Sequence, residues 1–148
     1  MSINTEIGGA TANSYVSVGS ADDYFNNRNN SDFWLDISSN ASTSTLAISE
    51  KEALLKQATR ELDRSFNFYS QKYYEVPKFD DNYQNLEFPR TTTLDVNGDR
   101  IIPDEVKYAT YEQALWLKER TGKRTTSDGD VIKNQFIICR IIYSITII

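Results

Sequence analysis

Residues 49–69 read SEKEALLKQATRELDRSFNFY and carry the clearest helical pattern in the chain. Ser49 and Glu52 have the spacing of a capping box, in which each side chain accepts a hydrogen bond from the other residue's backbone amide. Apolar residues then recur every three or four positions, which places them on one face of an α-helix. The pattern predicts a helix from Ser49 to about Tyr69. Its buried face is predicted to comprise Leu55, Ala58, Leu62, Phe66 and Tyr69.

A second long helix is predicted from Pro103 to about Arg120. Proline is tolerated at the first helical position, and Asp104 and Glu105 oppose the partial positive charge of a helix N-terminus. Gly122 follows a basic last turn and is typical of a helix end. The two helices have the largest apolar faces in the sequence, so we expect them to pack together. The predicted core comprises Leu55, Ala58, Leu62, Phe66, Val106, Ala109 and Leu117.

Shorter elements complete the predicted fold. Ser20, followed by Asp23, predicts the capped start of a short first helix. Asn97-Gly98 lies between β-prone residues, and a two-residue turn with positive φ at both positions predicts a hairpin over 94–102. We therefore expect a mainly α protein: a small bundle of about three to four helices with a short β-hairpin and a C-terminal β-arm. Residues 1–122 form the helical domain in this scheme, and residues 123–148 form a linker and the β-arm.

The composition limits the chemistry available to the protein. The formal net charge is -5, and the chain has no histidine and a single cysteine, Cys139. Ser-His-Asp and Cys-His catalytic sites and His-ligated metals are excluded by this inventory. We expect no enzymatic activity, no catalytic residue, no cofactor and no metal. Residues 1–14 lack a basic region and an apolar run, so the sequence predicts assembly in a reducing cytoplasm without a membrane anchor.

Charge also bears on nucleic-acid binding. Proteins that hold DNA by its phosphates usually concentrate lysine and arginine in a patch, whereas this chain has a sequence pI of about 4.8. The acidic balance predicts that the purified protein does not retain single-stranded DNA at physiological salt. An alternative remains, because aromatic residues with nearby lysines can stack on bases. Mixed acidic residues favour packing over stacking for this set: Tyr69, Tyr73, Tyr74, Phe79 and Tyr83, with Lys72 and Lys78.

Two acidic groups resemble ligand or catalytic sites only superficially. Asp95, Asn97 and Asp99 alternate like calcium ligands, but a valine occupies the position of the closing glutamate. A plain hairpin turn is the favoured interpretation. The adjacent pair Asp80 and Asp81 lies in an Asn-rich, aromatic stretch and is typical of a solvated turn.

The C-terminal segment from 131 to 148 is rich in isoleucine and predicts a strand. Left unpaired, such a strand is an aggregation hazard, so we expect it to pair within the chain or, preferably, with a neighbouring subunit or a portal segment. Deleting the residues after Lys133 should then abolish assembly but leave the helices folded. The candidate interface comprises Phe136, Ile138, Arg140, Ile142, Tyr143 and Ile145.

Several short motifs occur in an order that resembles one family of small phage proteins. These proteins carry the label DnaT-like single-stranded-DNA-binding protein and are also described as head-tail connectors or adaptors. The resemblance covers about residues 11–117. Its motifs are TANSYVS at 11–17, ADDYF at 21–25, Trp34, KEALL at 51–55, ATRELD at 58–63, FPR at 88–90 and IPDEVK at 102–107. The isoleucine-rich end departs from the family and is either the chain's own β-arm or the product of an altered reading frame.

The resemblance implies a structural virion protein at the head-tail interface. Its partners would be identical copies in a ring, expected to be dodecameric, the portal protein and a downstream tail or tail-completion protein. Packaged DNA would pass through the ring without specific binding. A phage single-stranded-DNA-binding or replication accessory protein is the alternative, and salt-sensitive binding to oligonucleotides would favour it.

Overall fold

The computed structural model of the protein describes residues 2–29, 34, 44–74 and 83–122. Its helices are α1 (Val18–Asn26), α2 (Ser44–Ser65) and α3 (Asp104–Gly122). Within these ranges, β-structure is limited to two isolated antiparallel bridges, Lys72 with Arg90 and Leu94 with Arg100. The mainly helical class predicted from the sequence is confirmed. The proposed β-arm lies outside the described residues.

Helices α2 and α3 form the most extensive contact between helices. Glu50, near the start of α2, pairs with Lys118 near the end of α3. Farther along α2, Glu61 accepts a hydrogen bond from Gln113 at 2.5 Å. Since the partners occur in opposite order, the two helices run antiparallel. The buried side chains on these helices include Leu55, Ala58, Leu62, Val106, Ala109 and Leu117, while Phe66 is partly buried against them.

Helix α1 is joined to α2 by a buried polar contact. The Asp22 carboxylate accepts hydrogen bonds from the indole of Trp34 at 2.8 Å and from the ammonium of Lys51 at 2.7 Å. Lys51 lies outside the predicted buried face of its helix, but only 4% of it is exposed. It is buried because Asp22 and the Trp34 ring, whose centre lies 5.4 Å from the ammonium, surround the charge.

The helix boundaries differ from the predicted ones. Ser17 rather than Ser20 caps α1: the Ser17 hydroxyl accepts from the Ser20 amide, and the Ser20 hydroxyl accepts from the Ser17 amide. Helix α2 begins at Ser44, before the predicted Ser49, because each residue added to an existing helix gains a hydrogen bond. It ends at Ser65, and Tyr69 is 71% exposed rather than part of the buried face.

The predicted hairpin is reduced to a bridge around a tight turn. The Gly98 amide donates to the Asp95 carbonyl at 3.0 Å, and the Asp95 amide donates to the Asp99 carbonyl at 2.8 Å. Gly98 has φ +84°, whereas Asn97 does not have a positive φ. The loop therefore has three residues and a single left-handed glycine instead of the expected two-residue turn. Pro103 lies just before α3, where its carbonyl accepts from the Val106 amide.

The segment before α1 packs against α2 and the stretch 83–90. The Tyr15 amide donates to the Thr59 hydroxyl at 3.3 Å, and the Tyr15 hydroxyl accepts from the Phe88 amide at 3.3 Å. The Asn85 side chain donates to the Ala12 carbonyl at 2.7 Å. These hydrogen bonds hold the stretch 83–90 against the segment before α1. Among the described helices, none has the length and apolar character needed to cross a membrane.

Candidate functional site

Two tyrosines and an arginine pack together at the surface in a cluster that we call the Arg100 platform. It consists of Tyr73, Tyr74 and Arg100. The guanidinium carbon of Arg100 lies 4.8 Å from the Tyr73 ring centre and 4.6 Å from the Tyr74 ring centre. The two rings meet edge to face at 5.0 Å, and Arg100 also donates to the Tyr74 hydroxyl. Tyr73 is 40% exposed, so the cluster presents an aromatic surface to solvent.

The backbone beneath the platform is held by a buried glutamine. The Gln84 side chain accepts from the Tyr74 amide at 3.3 Å and donates to the Leu86 and Pro89 carbonyls. The Tyr73 amide donates to the same Pro89 carbonyl at 3.1 Å. These hydrogen bonds fix the main chain at both tyrosines.

The charge around the platform is balanced rather than basic. Lys72 pairs with Glu87 at 2.9 Å, and Arg90 pairs with the same carboxylate. Within the described ranges, seven lysine or arginine side chains lie within 4.0 Å of a carboxylate. Cations already paired in this way attract anions weakly.

A second feature, the tyrosine groove, lies between α1 and α3 and has a volume of about 490 Å³. Its aromatic wall consists of Tyr24, Tyr108 and Tyr111. Tyr24 stacks on Tyr111 at 4.7 Å and on Tyr108 at 5.6 Å, both at an interplanar angle of 26°. Its polar side chains are Ser20, Asp23, Asn27 and Arg28.

A buried glutamate fixes the aromatic wall. Glu112 accepts a hydrogen bond from the Tyr24 hydroxyl at 2.6 Å and forms an ion pair with Arg28. Burial, together with the hydrogen bond to Glu112, raises the pKa of Tyr24 far above its usual value of 10.0, and burial also raises the pKa of Tyr111. Burial opposes the charge of Arg28, but Glu112 raises the pKa of that guanidinium overall. Tyr24 and Tyr111 therefore stay neutral, and Arg28 stays charged, throughout the physiological pH range.

The aromatic set singled out from the sequence is only partly brought together. Tyr73 and Tyr74 are part of the Arg100 platform, whereas Lys72 forms an ion pair with Glu87. Tyr69 is exposed and Tyr83 is half-buried. Phe79 and Lys78 lie outside the described residues. Arg100 was not predicted as part of this site, because its contact with Tyr74 joins segments separated by 26 positions.

The tyrosine groove was also missed. Tyr108 and Tyr111 lie in the second predicted long helix, and their spacing of three places them on one helical face. On α1, Ser20, Tyr24 and Asn27 have the same kind of spacing. A face of mixed polar and aromatic residues on each of these two helices could have indicated a groove between them.

The other candidate sites from the sequence either stabilise a turn or lie outside the described residues. The Asp95 carboxylate accepts the Asn97 and Asp99 amides, each at 2.8 Å, and so stabilises the turn. No cluster of three or more potential metal-ligating side chains was found in the part of the chain that the structure describes. Asp80, Asp81 and the candidate interface lie outside that part. The interface residues are Phe136, Ile138, Arg140, Ile142, Tyr143 and Ile145.

Comparison with known proteins identifies a family that matches most of the chain. Residues 1–138 match the model of the family described as "Putative DnaT-like ssDNA binding protein". No curated protein and no solved structure matches the chain.

Proposed function

The chain belongs to the family of DnaT-like single-stranded-DNA-binding proteins, and from this premise we propose that it binds single-stranded DNA through the Arg100 platform. The family match over residues 1–138 is the observation that carries the proposal. The platform supports it physically, because bases of any kind stack on tyrosine rings and on a guanidinium plane. Tyr73 and Arg100 are the residues expected to contact the bases.

The acidic charge limits the kind of binding that we propose. Each phosphate neutralised on a single strand contributes about −0.7 to the slope of log affinity against log salt. Arg100 is the cation of the platform, and the neighbouring Lys72 is already paired with Glu87. We therefore expect modest affinity with a shallow salt slope of about −1. Weak, stacking-dependent binding of this kind is compatible both with the DNA-binding family and with a net charge of -5.

Fluorescence anisotropy with a labelled oligonucleotide of about 12 nucleotides tests the proposal. Tyr73→Ala should weaken binding about tenfold, as loss of one stacking side chain does. Tyr73→Phe keeps the ring and should retain the affinity. Arg100→Lys keeps the charge but removes the stacking plane, so it should weaken binding without changing the salt slope. Absence of binding by the wild-type protein at low salt would overturn the proposal.

A ring-forming head-tail connector is the second candidate, and the acidic balance is the observation that favours it. A surface that repels phosphates suits a channel wall past which DNA moves. For this candidate, we propose identical copies in a ring that contacts the portal and a tail protein at the head-tail interface of a virion. No binding to oligonucleotides at low salt, together with ring-shaped particles in electron micrographs, would select it. Deletion of the residues after Lys133 should then prevent ring formation.

A further inference from the structure

The tyrosine groove is open to solvent, and its wall combines aromatic and polar side chains as small-molecule sites do. Pockets for small ligands usually enclose about 300 to 1,000 Å³ and combine aromatic walls with a few polar groups. The groove falls within this range at about 490 Å³. Tyr108 is 44% exposed, so part of its ring remains available to a ligand even though Tyr24 stacks beside it. A flat aromatic ligand could extend this stack.

The wall is rigid before binding. Glu112 holds both the Tyr24 hydroxyl and the Arg28 guanidinium, and the Tyr24 ring packs against the Tyr108 and Tyr111 rings. Ordering a flexible side chain on binding costs conformational entropy. Since these side chains are already ordered, a ligand that stacks here avoids most of that cost.

The polar side chains select among flat ligands. Asp23 is exposed on α1, and its carboxylate can only accept hydrogen bonds. A base with an exocyclic amino group offers donors that fit a carboxylate, as in the pairing of aspartate with the amino group of cytosine. Thymine offers a single ring N–H between two carbonyl oxygens, which a carboxylate repels. Arg28 lies in the same groove, where it is already paired with Glu112.

We propose that the tyrosine groove binds a single nucleobase that carries an exocyclic amino group, with Tyr108 stacking on the base and Asp23 accepting from its amino group. The proposal rests on the proposed function, because it adds a base-selective site to a platform that tolerates any sequence. The base belongs either to a DNA strand or to a free nucleotide. Both sources share the same recognition chemistry.

Anisotropy with the full chain compares oligo-dC and oligo-dT of equal length, about 12 nucleotides. We expect the wild-type protein to prefer oligo-dC about fivefold to tenfold, which corresponds to the discrimination of one base contact. Asp23→Asn should remove the preference. Glu6→Gln is the matched control, since it removes an exposed carboxylate outside the groove and should leave the preference intact. Tyr108→Ala should weaken binding of oligo-dC more than that of oligo-dT.

A second arm uses dCMP and dTMP as competitors and as ligands observed by tyrosine fluorescence. Selective binding of dCMP that Asp23→Asn abolishes would support the groove even if no oligonucleotide bound, and in that case the proposed function alone would fail. Equal affinity for oligo-dC and oligo-dT, with no selective binding of dCMP, would overturn the groove assignment while leaving the platform intact. Circular dichroism of each variant confirms that the helices are retained.

Discussion

The Tyr15 hydroxyl donates a hydrogen bond to the carboxylate of Asp63, 48 positions away in the sequence. The same hydroxyl accepts from the Phe88 amide, and the second Asp63 oxygen accepts from the Glu87 amide, both at 3.3 Å. The segment before α1, helix α2 and the stretch 83–90 therefore meet at one buried carboxylate.

Burial of Asp63 makes the stability of the protein depend on pH. Desolvation raises the pKa of Asp63 from 3.8 to about 6, although the hydrogen bonds from Tyr15 and Glu87 act in the opposite direction. The folded state thus holds this proton more tightly than the unfolded state does. This tighter proton binding adds about 3 kcal/mol to the free energy of unfolding. The contribution is fully present below about pH 4 and is lost as the pH rises through about 6.

Urea unfolding of the wild type and of Asp63→Asn across this pH range measures the effect. Because asparagine does not titrate, the difference in unfolding free energy between the two proteins should shift against the wild type between pH 4 and 7. A difference that stays constant with pH would mean that Asp63 titrates as it does in the unfolded chain.

Leu62→Ala tests the contact between α2 and α3. Leu62 is buried against Ala109 and Phe66, and truncation of a buried leucine costs roughly 2 to 5 kcal/mol. Thermal unfolding should show a clear loss of stability. Leu94→Ala removes the same atoms from an exposed side chain and should change the unfolding free energy by no more than about 0.5 kcal/mol. Equal melting temperatures for the two variants would contradict the packing.

Gly8→Ala should disturb the Arg100 platform from a distance. Gly8 has φ +72°, and a Cβ atom there would lie 3.3 Å from the Tyr74 ring. Left-handed backbone costs a residue with a side chain about 1 to 2 kcal/mol, and the ring must also shift. We expect lower stability and weaker oligonucleotide binding. Gly19→Ala is the control, because it lies in α1 with its nearest contact at 4.0 Å and should not weaken either property.

Arg90→Lys should loosen the chain between α2 and the platform. The buried Arg90 guanidinium donates to the Ser70 carbonyl, pairs with Glu87 and lies 5.4 Å from the Phe68 ring. Lysine keeps the charge but lacks the planar fork, so we expect a loss of roughly 1 to 3 kcal/mol. Urea unfolding measures it. Arg60→Lys on the exposed side of α2 should be neutral, and the same loss in both variants would argue against a specific role for Arg90.

The parts of the fold that depend on neighbouring residues could be predicted from the sequence. The helical stripes indicated α2 and α3 because side chains three or four positions apart share a face. The position of Lys51 could not be predicted in this way, since its burial depends on Asp22, 29 positions earlier. The same holds for the site: Tyr73 and Tyr74 were singled out as aromatic residues, but their pairing with Arg100 depends on how distant segments fold together.

The hydrogen bond from the Tyr74 amide to the Gln84 side chain ties together the two ends of the connection 75–83. Once its ends are fixed, doubling the length of a connection costs only about 0.6 kcal/mol in closure entropy. Insertions and deletions between these anchors should therefore accumulate among homologues without displacing the tyrosines.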